Sequence, residues 1–227
     1  MAKKLIAIFT FALISLAPSA NAAENVTVFA ASSLTDAYTQ LGKQYESKNP
    51  DTKIIFSFQA SSTLITQITN GAPADILVSA EPFYGGTNYL ANRVVVAVPK
   101  NSSVSRISDL DKVKWIQCAH EVPCGIAADS ALRFESVNSK PISLEPKVTS
   151  VVAKLLAGEV DAAIIFRTDV IANKSRLNAI EFSNKDAAST IYQIAQLKKN
   201  RSAVAFMKFL QSRAALRFLQ SKGFEPR

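Results

Sequence analysis

Short apolar runs alternate with stripes of helical spacing along the chain. Residues 26–31 form a run with the length of a buried strand. The apolar residues that follow recur at i, i+3, i+4 and i+7, which is typical of one face of a helix. They are Leu34, Ala37, Tyr38, Leu41 and Tyr45. The chain therefore opens with a strand followed by an amphipathic helix.

The same alternation continues to the C terminus. Further strands are predicted at residues 52–58, 76–78, 94–98, 113–119, 162–166 and 191–195. Helices are predicted just before Gly71 and Gly158, and over residues 126–134, 202–212 and 214–222. Strands that alternate with helices indicate an α/β fold with largely parallel sheets.

The first 22 residues have the pattern of a secretory signal peptide. Lys3 and Lys4 give a positive start, residues 5–16 are almost all apolar, and Ala20 and Ala22 mark a small-residue cleavage site. A membrane anchor is the alternative, but a spanning helix needs about 20 apolar residues and this run is shorter. We predict that residues 1–22 are removed and that the mature chain is exported to the periplasm, without insertion into the membrane.

Charge and composition narrow the possible partners. The formal net charge is +8, and +6 once Lys3 and Lys4 are removed. A basic chain can bind nucleic acid or a membrane surface, but here the Lys and Arg residues are spread along the sequence. A hydrophobic fraction of 48% is ample for a buried core. We therefore predict a globular protein with no nucleic-acid partner.

The two cysteines lie close together in the sequence. Cys118 and Cys124 are six residues apart, and an exported pair at this spacing usually forms a disulfide. His120 lies between them, which leaves a metal or redox site as the alternative. Tetrahedral zinc takes four ligands and only three are present locally, so the disulfide is favoured.

Two serine clusters stand where predicted strands give way to predicted helices. The first contains Ser32 and Ser33, and the second contains Ser61 and Ser62. Two more helices are predicted to begin near residues 123–125 and 147–148. A single serine at such a position is most often a helix cap. Repetition at several junctions favours a ligand site instead, because parallel α/β folds gather these junctions along one edge.

The chemistry of these junctions suits an anion. Each helix N-terminus carries about half a positive charge, so four of them supply about two. A fully deprotonated tetrahedral dianion accepts hydrogen bonds and donates none, so its site needs donors and no carboxylates. None of the four turns carries an acidic side chain at the turn itself. The pattern predicts a site for a small oxyanion.

Several segments resemble those of a known family. Residues 29–37 read FAASSLTDA, residues 58–64 read FQASSTL, and residues 71–80 read GAPADILVSA. With shorter matches at 121–125, 157–162 and 222–224, they resemble the periplasmic molybdate-binding proteins of ABC transporters. The resemblance covers nearly all of the chain after the predicted cleavage site.

The resemblance implies a fold of two α/β lobes with the ligand cleft between them. With its help, we place lobe 1 at residues 23–95 plus 194–227 and lobe 2 at residues 96–193. One departure from the family lies at residues 82–92, where the usual helix and longer connection are replaced by a short turn containing Gly85 and Gly86.

The resemblance also implies the ligand contacts. Ser33 and Ser61 match the family's two serines, and Cys124 and Val148 match the positions that contribute backbone N–H groups. Phe166 occupies the position of a family tyrosine and has no hydroxyl, which is the second departure. Losing one hydrogen bond to a charged ligand costs about 1.5–3 kcal/mol unless another group replaces it.

The function implied is capture of molybdate, or of tungstate with the same charge and shape, and delivery to the membrane permease of an ABC importer. No cofactor, no metal other than the oxyanion and no enzymatic activity are expected, and the protein is expected to be a monomer. The alternative is a binding protein for another tetrahedral oxyanion such as sulfate. A serine hydrolase would need a base, but His120 is the only histidine and no G-x-S-x-G elbow exists. An interaction or sensor module would not need converging donor clusters.

Overall fold

The computed structural model describes residues 24–227. The predicted signal peptide at 1–22 lies outside the described residues. Within residues 24–227, no helix has both the length and the apolar character needed to cross a membrane.

The first part of the described chain builds one sheet with helices on both faces. Its elements are β1 (Glu24–Ala31), α1 (Thr35–Glu46), β2 (Thr52–Gln59), α2 (Ser61–Thr69), β3 (Ile76–Ser79) and β4 (Thr87–Pro99), and a short 3-10 turn, Ser32–Leu34, joins β1 to α1. Side chains alternate across β1, because Val28 packs in the cluster that contains α1 and α6 residues while Phe29 packs with Leu64 of α2.

The middle of the chain builds the second lobe. Its elements are a 3-10 turn (Ile107–Lys112), β5 (Trp115–Cys118), α3 (Pro123–Leu132), β6 (Leu144–Glu145), α4 (Val148–Ala157), β7 (Ala162–Phe166), α5 (Arg167–Ala172) and β8 (Leu177–Ile180). The chain then returns through β9 (Ser189–Gln196), α6 (Arg201–Leu210), α7 (Arg213–Ser221) and β10 (Glu225–Pro226).

Two long strands connect the lobes. The strand order is β2-β1-β3-β9-β4-β7-β5-β6, with β8 and β10 also paired to β4. The first half of β4 pairs with β9 and β10, and its second half, from Val94, pairs with β7 and β8. The main hydrophobic clusters divide in the same way. One holds buried residues from Val94 to Ala188, and the other holds buried residues up to Leu90 and from Tyr192 onward. The fold is two-lobed and α/β, with a cleft between the lobes.

The expectation of largely parallel sheets is wrong for the connecting strands. β1 lies parallel to β2 and β3, and β5 lies parallel to β6 and β7. Every pairing of β4, and that of β3 with β9, is antiparallel. Parallel neighbours need a crossover that returns the chain to the same end of the sheet. β4 instead runs straight from one lobe into the other, so no such crossover precedes its second half.

Most predicted elements are confirmed, with three kinds of difference. β4 begins at Thr87, well before the predicted strand at 94–98, because polar residues such as the buried Asn92 interrupt its apolar pattern. α3 begins at Pro123 instead of residue 126, since proline is favoured in the first turn of a helix. The short elements α5, β6, β8 and β10 lacked enough length for a periodic signal.

Asp75 ties three parts of lobe 1 together. Its buried carboxylate accepts hydrogen bonds from the Thr27 backbone N–H at 2.7 Å and from the Asn200 side-chain amide at 3.1 Å. Asn200 also caps α6 by accepting from the Ala203 N–H at 2.7 Å. Asp75 therefore links β1, the start of β3 and the start of α6.

We expect Asp75→Ala to lower the free energy of unfolding by about 2–3 kcal/mol, because it leaves two donors without an acceptor in a buried region. Urea denaturation of the purified protein measures this loss. Asp51→Ala, at an exposed position, serves as the control and should change stability little. Equal stability of the two variants would contradict the structural role assigned to Asp75.

Candidate anion-binding site

Four strand-to-helix junctions meet at one small cavity between the lobes. Lobe 1 contributes the end of β1 with the following 3-10 turn, and the start of α2, while lobe 2 contributes the starts of α3 and α4. The cavity has a volume of about 20 Å³. Its lining consists of Ala31, Ser32, Ser33, Gln59, Ala60, Ser61, Ala80, Val122, Pro123, Cys124, Pro146, Lys147, Val148 and Phe166. All five residues that the sequence predicted as ligand contacts are in this set.

The size of the cavity limits what it can hold. A single water needs about 10–15 Å³ of such space, and pockets for drug-sized ligands span about 300–1,000 Å³. In this conformation the volume of about 20 Å³ suits a ligand of a few atoms and is far smaller than a pocket for a drug-sized ligand.

The helices that begin at the cavity have no side-chain caps. The residues before α2, α3 and α4, and before the 3-10 turn that leads into α1, make no capping hydrogen bond through their side chains. By contrast, Asn200 and Ser212 cap α6 and α7, which begin away from the cavity. First-turn N–H groups have no acceptor inside a helix, so these donors remain available. The serine clusters therefore do not act as helix caps in this structure.

Ser61 has its hydroxyl direction fixed by the backbone. It is buried at the first position of α2, and its Oγ accepts a hydrogen bond from the Ala80 N–H at 2.9 Å. A backbone N–H can only donate, so the oxygen of Ser61 is the acceptor and its own proton is free for another partner. Ser61 also lines the cavity, so its free hydroxyl proton is available to a ligand there.

Ser33 has a different partner, one that the sequence did not indicate. Its Oγ lies 2.8 Å from the hydroxyl of Tyr192 on β9, 159 residues further along the chain. Tyr192 is completely buried, and this burial raises the pKa of its phenol well above the usual value. The phenol thus stays protonated and able to donate. In the sequence, Tyr192 was simply part of an apolar strand, so no local signal pointed to it.

Cys124 and Val148 present backbone N–H groups from lobe 2. Cys124 is the second residue of α3, after Pro123, and Val148 is the first residue of α4. Gly125 allows α3 to begin this close to the preceding strand, because a Cβ at this position would lie 1.9 Å from the Ala119 carbonyl oxygen. The start of α3 is therefore held tightly against the end of β5.

The two cysteines are joined in a disulfide at the same junction. Cys118 ends β5 and Cys124 lies in the first turn of α3, with their Cα atoms 5.7 Å apart. His120 is exposed and its Nδ1 lies 2.6 Å from Asp129 Oδ2. With both sulfurs bonded to each other, neither is available as a thiolate ligand. Among residues 24–227, no cluster of three or more His, Cys, Asp or Glu side chains is arranged to hold a metal ion.

Phe166 forms part of the cavity wall. Its ring is buried, and the ring centroid lies 6.2 Å from that of Tyr192. The side chain offers the cavity no hydrogen-bond donor. A tyrosine hydroxyl is nevertheless present nearby, on Tyr192, and it reaches the cavity through Ser33.

Acidic side chains lie outside this cavity. Lys147, which precedes α4, is the charged residue in the described lining. A second cavity of about 340 Å³ lies on the other side of Ser33 and contains Asp36 and Asp169. Burial raises the pKa of Asp169 to about 7, against a lowering effect of the Phe166 N–H, and the negative charge of Asp36 raises it further. The two carboxylates thus line the neighbouring cavity and are not among the described residues that line the small one.

These features define a two-lobed ligand-binding protein, and comparison with known proteins agrees. The chain belongs to the family of bacterial extracellular solute-binding proteins, which matches residues 26–225. It is 31% identical to the molybdate-binding protein ModA of Haemophilus influenzae, and the alignment covers 98% of each chain. It is 30% identical to ModA of Mycobacterium tuberculosis strain H37Rv, and the alignment covers 89% of this chain and 85% of that one.

A solved structure shows the same fold. The periplasmic molybdate-binding protein of Azotobacter vinelandii superposes with a TM-score of 0.75 at 16% identity, over 88% of this chain and 98% of that chain. At this level of identity, the likeness concerns the arrangement of strands and helices and not the ligand.

We expect removal of the disulfide to lower the free energy of unfolding by about 2 kcal/mol, because a short closed loop restricts the unfolded chain. The measurement is urea denaturation of the protein before and after reduction. A Cys118→Ser, Cys124→Ser double variant is the control, since a reductant should not change its stability. Mass spectrometry that finds two free thiols in the exported protein would contradict the disulfide.

The raised pKa of Asp169 predicts that the free energy of unfolding depends on pH. Its pKa of about 7 in the folded protein lies above the ordinary value near 4. Between about pH 4 and pH 7 the folded state keeps a proton that the unfolded state has lost, so stability falls as the pH rises through this window. Below this pH window the carboxyl is protonated in both the folded and the unfolded state, and above the window it is ionised in both states.

We therefore expect Asp169→Asn to flatten the dependence of stability on pH between about pH 4 and 7. Asparagine keeps an oxygen that can accept from the Phe166 N–H. Urea denaturation at several pH values measures the effect, and Asp36→Asn should move the window to lower pH by removing a nearby negative charge. Identical pH profiles for wild type and Asp169→Asn would refute the assignment.

Proposed function

We propose that this chain captures molybdate in the periplasm and passes it to the membrane permease of an ABC importer. Membership of the extracellular solute-binding family supports a role in uptake outside the cytoplasm. The relatives named molybdate-binding proteins, which align over nearly the whole chain, support the choice of anion.

The observation that carries the proposal is the convergence of uncapped donors on a cavity without acidic lining. Ser33 and Ser61 supply hydroxyls, and Cys124 and Val148 supply backbone N–H groups. Four helix N-termini contribute about two positive charges in total, enough to balance a dianion. Lys147 adds a positive charge at the edge of the same cavity. A bound ion of this kind needs donors on all sides, and the two lobes together supply them.

The anion would be enclosed by movement of the lobes toward each other. We place the lobes at residues 23–95 plus 194–227 and at residues 96–193. Strand pairing supports changes of lobe close to these limits, since β4 exchanges partners at Val94 and β9 pairs with lobe 1 strands from Ser189 onward. Each lobe brings half of the donors, so closure and binding are the same event.

The protein acts in this scheme as a carrier and not as an enzyme. Binding requires no proton transfer from the protein, because molybdate is fully deprotonated at neutral pH. His120, the only histidine, pairs with Asp129 outside the cavity lining. We infer that the mature chain works as a monomer, with the permease as its protein partner.

The choice among tetrahedral dianions depends on size. Tungstate matches molybdate in charge and shape and should bind comparably, while sulfate is smaller and would leave the donors of the two lobes too far apart to contact all its oxygens. Calorimetric titration of the protein with molybdate, tungstate, sulfate and phosphate tests this order. If sulfate binds more tightly than molybdate, the proposed ligand is wrong, but the cavity is still a site for a tetrahedral oxyanion.

We expect Ser33→Ala and Ser61→Ala each to weaken molybdate binding about tenfold or more, because each removes a hydrogen bond to a charged ligand. Calorimetric titration measures the dissociation constants. Ser62→Ala is the matched control, since Ser62 neighbours Ser61 in α2 but does not line the cavity. Melting curves separate loss of binding from loss of folding. Unchanged affinity in both cavity variants would exclude the proposed ligand contacts.

A further inference from the structure

The contact between Ser33 and Tyr192 allows two arrangements of protons. Their oxygens are 2.8 Å apart, and either hydroxyl can donate to the other. If Ser33 donates to Tyr192, only lone pairs of Ser33 remain to face the cavity, and these repel an anion. If Tyr192 donates, the proton of Ser33 is free to point into the cavity.

The surroundings of Tyr192 favour the second arrangement. Burial raises the pKa of Tyr192 well above its usual value, so the phenol keeps a proton that needs an acceptor, and Ser33 Oγ lies within hydrogen-bond distance of it. The Oδ1 of Asn92 accepts from the Arg93 backbone N–H at 2.9 Å, so the group that Asn92 presents to other partners is its amide donor. That amide donates to Thr168 Oγ1 at 2.8 Å. The oxygen of Asn92 is thus engaged by the Arg93 N–H, which leaves Ser33 Oγ as the acceptor for the Tyr192 proton.

The other serine of the cavity has the same arrangement with a fixed direction. Ser61 Oγ accepts from the Ala80 N–H, which cannot act as an acceptor. Each serine thus has one lone pair occupied by a donor from outside the cavity. In both cases the remaining proton is directed toward the space where an anion would lie.

The position of Tyr192 is rigid. Its buried ring packs against Phe166 at 6.2 Å and edge-on against Phe224 at 5.9 Å between ring centroids. The aromatic neighbours hold the phenol oxygen at one place, and Asn92 of β4 donates to Thr168 of lobe 2 at 2.8 Å. The hydroxyl therefore sits where β4 and β9 meet the site.

We propose that Tyr192 is a positioning residue that donates its proton to Ser33 and so commits the Ser33 hydroxyl to the bound anion. The donation runs from Tyr192 to Ser33 and from Ser33 to the ligand. Phe166 lacks a hydroxyl of its own in the cavity wall, and Tyr192 compensates by acting through the serine. This inference rests on the proposed function, since it assigns the role to the same oxyanion site.

The test is a double-mutant cycle read by calorimetric titration with molybdate. Tyr192→Phe removes only the hydroxyl and should weaken binding about three- to tenfold. In a Ser33→Ala background the same change should have almost no further effect, because Tyr192 acts through Ser33. Equal effects of Tyr192→Phe with and without Ser33 would overturn the proposal, since a merely structural role gives that additive result.

Tyr89→Phe is the matched control. Tyr89 is also a buried tyrosine, but its hydroxyl donates to the Leu210 carbonyl at 2.8 Å, away from the cavity. It should lower the melting temperature about as much as Tyr192→Phe and leave molybdate affinity unchanged. A loss of affinity in Tyr89→Phe equal to that in Tyr192→Phe would overturn the proposal, because stability alone would then explain both.

Asn92→Asp tests the direction of donation while keeping Tyr192. A carboxylate beside the phenol would draw the Tyr192 proton away from Ser33, so binding should weaken, and by more with Ser33 present than in Ser33→Ala. The negative charge of the new aspartate weakens anion binding whether residue 33 is serine or alanine. Only the difference between these two losses of affinity reports on the direction of the Tyr192 proton. Affinity losses that are equal in the two backgrounds overturn the proposal.

The two levels of inference fail in different ways. If the wild-type protein binds none of molybdate, tungstate and sulfate, both the proposed function and the role of Tyr192 are wrong. If the wild type binds molybdate and Tyr192→Phe binds it equally well, the proposed function stands and the positioning role is overturned.

Discussion

Backbone N–H groups at the first turn of a helix have no partner inside the helix, and in this protein several such turns meet in one cleft without side-chain caps. Elsewhere in the described chain, Asn200 and Ser212 satisfy the same kind of donor at α6 and α7. Donors left open together, around a space of about 20 Å³, acquire full hydrogen bonding when an acceptor-only ion enters. The stability of the cleft and the proposed affinity for an oxyanion thus depend on the same groups.

The two-lobed architecture places helix starts on opposite sides of the cavity. A single sheet edge can cover one side of an ion, and the second lobe covers the other. β4 and β9 make this possible, since they link the sheets directly and place Asn92 and Tyr192 beside the cleft. The two lobes, which move in the proposed closure, are therefore joined by β4 and by β9, the strand that carries the Tyr192 hydroxyl to Ser33.

Local covalent and steric features hold the donors of lobe 2 in place. The Cys118–Cys124 disulfide and the close approach permitted by Gly125 fix the start of α3 against β5. The carboxylates of Asp36 and Asp169 are kept in a neighbouring cavity, where burial raises the pKa of Asp169 to about 7. Separating carboxylates from donors in this way prevents repulsion of an anion at the small cavity.

The sequence alone determined the alternation of strands and helices and the serines at two junctions. These properties depend on neighbours a few residues apart, which periodicity and turn chemistry describe well. The five predicted contacts, which line one cavity, came instead from the resemblance to a known family. Only the tertiary structure decided that β4 and β9 run antiparallel between the lobes, and that Tyr192 reaches Ser33 across 159 residues. Such contacts arise from the meeting of distant strands, and a buried tyrosine in an apolar run looks like any other core residue until its hydroxyl has a partner.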